Sequence, residues 1–92
     1  MKILAVCGMG LGSGLLLRMQ AEKALKQLGV QADVEVSDMG SARALSATAD
    51  LIITSEELAL QLGNVKPRIV TITNFVSLAE MVAKLGDALK DR

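Results

Sequence analysis

The chain's one cysteine, Cys7, stands directly after a short apolar run, Ile3-Leu4-Ala5-Val6, and directly before Gly8-Met9-Gly10-Leu11-Gly12-Ser13-Gly14. Alternate glycines free the backbone to take positive φ and to approach a ligand with no Cβ in the way. Amides turned toward one point, with the positive end of a helix dipole behind them, make an anion site, and a thiol at its mouth faces that anion. Such an environment favours the thiolate, the form of cysteine that acts as nucleophile. Residue types and spacing therefore suit a sulfur that attacks or carries a phosphoryl group. Cys7 is the catalytic candidate, and Gly8, Met9, Gly10, Leu11, Gly12, Ser13 and Gly14 are the candidate phosphate-binding loop, whose amides and Ser13 hydroxyl would serve the phosphoryl oxygens.

Blander roles compete for the same residues. A lone cysteine at a strand end is commonly a small buried hydrophobe, and here the adjoining glycines tip the balance toward chemistry. Ser13 fits an N-cap for the first helix as well as it fits phosphate contact. Met9 and Leu11 either tuck into the core or stay exposed for a partner, with the second slightly favoured.

Two absences narrow the chemistry. The sequence has no histidine, which removes the commonest general base, the commonest metal ligand and any phosphohistidine of its own. Phe75 is the one aromatic residue, so there is no stacking platform for bases and little to grip a small-molecule ring. No metal and no cofactor is expected, and a protein partner fits better than a free metabolite.

Related loops fail on particular positions. The dinucleotide pattern G-x-G-x-x-G breaks because Ser13 or Leu15 falls where the third glycine belongs, and no G-x-x-x-x-G-K-[ST] match exists. A tyrosine-phosphatase-like enzyme also places a cysteine after its first strand, but it uses Cys-x5-Arg to hold the transferring group, and Ser13 stands at that position here. Without that arginine rapid hydrolysis has no support, so a phosphocysteine would persist until another protein collects it. A redox role lacks a resolving cysteine.

The elements that position Cys7 follow from periodicity. Ninety-two residues with 51% hydrophobic content suit one small packed core, and residues 1–92 read as one domain without a linker. Strand 1 is expected over about residues 2–7 and a first helix over 13–28, with Leu17, Ala21, Leu25 and Leu28 on its apolar face and Gly29 as its stop. Ala32-Asp33-Val34-Glu35-Val36 alternates as an edge strand does, whereas Leu51-Ile52-Ile53 and Ile69-Val70-Thr71-Ile72 read as strands covered on both faces. Residues 41–47 give at best a short, weak helix. A third helix runs over about 56–62 with Ser55 as cap and Gly63 as stop, and Ser77-Leu78-Ala79-Glu80 fits a capping box opening the last.

Alternating strands and helices imply an α/β fold, with a four-stranded parallel sheet ordered 2-1-3-4 and helices on both faces, Rossmann-like and similar to low-molecular-weight tyrosine phosphatases. In that order the switch point lies between strands 1 and 3, so the Cys7 loop opens there. Thr54, Ser55 and Asn74 emerge from the same carboxyl edge as secondary candidates, for which capping of turns and helices is the commoner role. Arg18 reads as a solvated helix residue. Ten basic and ten acidic residues cancel, leaving no nucleic-acid footprint and no membrane patch. No secretory pattern and no apolar run of about 20 residues is present, so a cytoplasmic protein without direct membrane insertion is expected.

The run Ile3-Leu4-Ala5-Val6-Cys7-Gly8-Met9-Gly10-Leu11-Gly12-Ser13 resembles the start of the IIB components of the bacterial sugar phosphotransferase system (PTS), in the lactose/ascorbate/galactitol group and closest to its ascorbate branch. Asp50-Leu51-Ile52-Ile53-Thr54-Ser55 and Thr73-Asn74-Phe75-Val76-Ser77 resemble later segments of that family, and Gly14 departs from the serine expected in the ascorbate branch. The resemblance implies a relay in which a phosphohistidine on a IIA protein passes its phosphoryl group to Cys7. Cys7 then passes it to a sugar, ascorbate or a related one, held by the membrane permease IIC. A regulatory or anion-binding module on the same scaffold, with Cys7 modified but not relaying, is the other reading.

Overall fold

The structure is a computed structural model and describes residues 1–8 and 10–90, with the side chains of residues 10–13 outside the description. Four strands and four helices alternate: β1 (Lys2–Val6), α1 (Gly10–Leu28), β2 (Asp33–Ser37), α2 (Met39–Ser46), β3 (Leu51–Thr54), α3 (Glu56–Leu62), β4 (Arg68–Thr71) and α4 (Leu78–Lys90). The strands are parallel and ordered β2-β1-β3-β4, as the sequence predicts.

Period-two alternation divides the central strands between two cores. Ile3, Ala5, Leu51, Ile53, Val70 and Ile72 meet Leu17, Ala21 and Leu25 of α1 and Met81, Leu85 and Ala88 of α4. Leu4, Val6 and Ile52 face the other way, toward Ala42 and Leu62 of α2 and α3. Each fully buried aliphatic side chain is worth about 1.5–3 kcal/mol relative to exposure, so covering both faces is what holds so small a chain together. At Gly86 of α4, a Cβ would stand 3.3 Å from Leu28 Cδ2, which marks the close approach of α1 and α4.

Three expectations need correction. The first helix begins at Gly10, not at residue 13, so most of the glycine run is helical and Ser13 cannot be its N-cap. The second helix begins at Met39 because Asp38 caps it, its Oδ1 accepting from Ser41 N–H at 2.8 Å. The capping box is half formed: Ser77 Oγ accepts from Glu80 N–H at 3.1 Å, but the Glu80 carboxylate turns elsewhere. The third helix keeps its expected bounds, with Ser55 Oγ accepting from Leu58 N–H and Gly63 at φ 65° closing it.

A candidate thiol site at the sheet switch point

Cys7 leaves the sheet where β1 parts from both neighbours. Its own N–H donates to Ser37 O of β2 at 3.0 Å, and the preceding carbonyl, Val6 O, accepts from Thr54 Oγ1 of β3 at 2.8 Å. The cysteine is 8% exposed, and α1 starts shortly after it, at Gly10. Cys7 lines a cleft of about 460 Å³ together with Gly8, Met39, Ser55, Glu57, Leu58, Gln61 and Phe75. Glu57 is the one ionisable side chain besides the thiol among these lining residues, and no cation joins them. An anion on the sulfur would therefore depend on backbone donors and the first turn of α1, each such contact worth roughly 0.3–1 kcal/mol.

Packing rather than polar bonding shapes the Cys7 side of the cleft. A Cβ at Gly14 would lie 2.6 Å from Val36 Cγ1 and 3.7 Å from Cys7 Cβ, so only glycine lets α1 sit this close to the sheet. A Cβ at Gly8 would come within 3.2 Å of Leu58 Cδ2.

The secondary candidates separate in space. Ser55 reaches the cleft, while its Oγ accepts from α3. Thr54 is wholly buried with its hydroxyl committed to Val6 O. Asn74 Oδ1 accepts from Val76 N–H at 3.1 Å and is not among the cleft residues. Arg18 is exposed and pairs with Glu22 at 3.5 Å. The expectations for Met9 and for the side chains of Leu11 and Ser13 lie outside the described residues. Sequence reasoning missed Met39, Glu57, Leu58 and Gln61 as cleft residues; their signal was their place just after the carboxyl ends of β2 and β3.

Phe75 reaches the cleft from the segment after β4, and that segment is tied down by Glu80. One carboxylate oxygen, Oε2, accepts from Thr73 N–H at 2.7 Å and from Lys84 Nζ at 3.0 Å; the other, Oε1, accepts from Asn74 N–H at 2.8 Å. The Thr73 and Asn74 amides, with help from Lys84, lower the Glu80 pKa from 4.5 to about 2 against the opposing effect of burial. Lys84 also donates to Thr71 O at the end of β4. From the other side, Gln20 of α1 donates from Nε2 to Val76 O at 2.8 Å.

The family model described as "PTS system, Lactose/Cellobiose specific IIB subunit" matches residues 2–87. The chain belongs to the PTS IIB family. IIB components are phosphotransferase components that work with IIA and IIC partners. The ascorbate-specific PTS system EIIB component of Mycoplasma pneumoniae is 35% identical over 88 residues, covering 95% of this chain and 93% of that one. That of Shigella sonnei is 33% identical, covering 97% and 89%. The lactose-specific IIB domain of Streptococcus pneumoniae shares the fold, with a TM-score of 0.62 at 18% identity over 97% of this chain and 94% of that one. Among the described residues of this IIB chain, no helix is long and apolar enough to cross a membrane.

Proposed function

We propose that this IIB chain, acting as one domain of residues 1–92, is a cytoplasmic phosphoryl carrier whose cycling residue is Cys7. The Cys7 sulfur attacks phosphorus of a IIA phosphohistidine in line, the P–N bond breaks, and its electron pair stays on the imidazole. A sugar hydroxyl oxygen held by IIC then attacks the phosphocysteine, losing its proton to solvent or a base on that partner, while the S–P bond breaks and its pair returns to sulfur. The backbone amides between Cys7 and the first turn of α1, residues 8–12, hold the phosphoryl oxygens, since those of Ser13 and Gly14 are spent within the helix, with Ser55 at the rim, while Thr54 and Asn74 keep their structural bonds. Ascorbate is the proposed sugar, by similarity to the named relatives.

The observation that carries this reading is the position of Cys7, at the switch point of the sheet, in a cleft and just before the first turn of α1. The lack of a cation among the described cleft residues supports a carrier over a phosphatase, since a weakly held phosphoryl group is easier to surrender. Incubation with a phosphoryl-donating relay mixture, read by intact mass and ³¹P NMR, tests it. Wild type gains one cysteine-linked phosphoryl group and Cys7→Ser gains none. A wild-type protein that is never phosphorylated defeats the reading, and one that is phosphorylated but passes nothing to IIC and sugar points to a regulatory module.

A further inference from the structure

We propose that Gln20 and Glu80 are positioning residues that hold Phe75 against the Cys7 cleft and so set access to the sulfur, which rests on the reading of Cys7 as the reactive centre. Phe75 makes no polar bond through its ring and stands between two fastened points. On its N-terminal side, Thr73 and Asn74 give both amides to the Glu80 carboxylate. On its C-terminal side, the Val76 carbonyl accepts from Gln20, and Ser77 N–H donates to Asn74 O at 3.0 Å.

The two fasteners come from different helices. Glu80 lies in the first turn of α4, whereas Gln20 lies on α1, whose first turn follows Cys7. Gln20 is 8% exposed, so its amide is a buried polar group whose one described use is this carbonyl. Nothing in the core demands it, since the neighbouring positions Leu17, Ala21 and Ala24 already supply the apolar face of α1. Holding the wall of the cleft in register with the helix beside the sulfur is the use that accounts for it.

The chain's single cysteine makes access directly measurable in the unphosphorylated protein, independently of whether Cys7 relays phosphate. Alkylation by iodoacetamide is followed by intact mass for wild type, F75A, Q20A, E80A and A88G, with the melting temperature of each recorded. F75A, Q20A and E80A alkylate about fivefold faster or more, the change that a local opening easier by one or two kcal/mol produces. A88G, which weakens α4 away from the cleft, loses melting temperature without that acceleration. Q20A trims a side chain bonded to one carbonyl and keeps the test alive if E80A fails to fold. Rates for Q20A within about twofold of wild type, or an A88G rate raised as much as the others, would overturn the proposal.

Discussion

The two segments that flank the cleft are held in different proportions by packing and by hydrogen bonds. After β1, Cys7 N–H is paired with Ser37 O, and beyond it the close fits are steric, since a Cβ added at Gly8 or Gly14 would crowd Leu58 or Val36. After β4, the backbone of residues 73–77 is fastened by Glu80, Asn74, Ser77 and Gln20 through hydrogen bonds. The difference teaches where donors are kept in reserve. A segment proposed to grip an anion needs some amides in reserve and leans on shape, while a wall that only excludes can commit Thr73, Asn74, Val76 and Ser77 N–H to internal partners.

The comparison breaks most completely at the sulfur. Cys7→Ser is expected to abolish phosphoryl transfer, by about a thousandfold or more, while the fold survives; a relay assay beside a thermal melt checks both. Thr54→Val removes the hydroxyl that donates to the buried Val6 O and is expected to cost about 1–3 kcal/mol in denaturant unfolding. Gly14→Ala sets about 1–3 kcal/mol of overpacking against Val36 beside a gain of about 1 kcal/mol in helix propensity. The net loss should shrink in the double variant with Val36→Ala, and a double-mutant cycle measures the coupling.

On the fastened side, Glu80→Ala is expected to cost about 1–2 kcal/mol at neutral pH, less than a fully buried charged bond because the carboxylate is partly exposed. Its pH dependence has a fixed sign. The folded-state pKa lies below the ordinary value of 4.5, so the contribution is fully present above that value and is lost as pH falls toward 2. Wild type and Glu80→Gln should therefore converge in stability across that acid range, as urea titrations at stepped pH would show. Leu60→Ser, at a site 81% exposed, should change stability by no more than about 0.5 kcal/mol.

The strand order and both helix layers were legible because apolar periodicity changes cleanly between two and 3.6. The alternation of residues 32–36 marked β2 as an edge, and Ser55 and Gly63 bounded α3, whereas β4, read as covered on both faces, is the other edge and leaves Arg68 exposed. The start of α1 was not legible, because three glycines within five residues oppose a helix by propensity. Tertiary approach overrides that preference at Gly14, where the helix needs the space a side chain would take. Glu80 matched the spacing of a capping box, but that pattern cannot tell whether the carboxylate turns back to its own cap or forward to the amides of the preceding segment. The cleft residues of α2 and α3 carry ordinary side chains whose role comes from place alone.

The hydroxyl of Thr54 serves the Val6 carbonyl one residue past the last paired position of β1 and β3. At the fork of a parallel sheet a carbonyl faces the opening, and here that carbonyl is served from inside the protein. The backbone that leads to the sulfur is therefore pinned from both sides, by β2 through Cys7 N–H and by β3 through Val6 O. For a group handed from one protein to another, the sulfur is thereby presented from a fixed place at the end of β1.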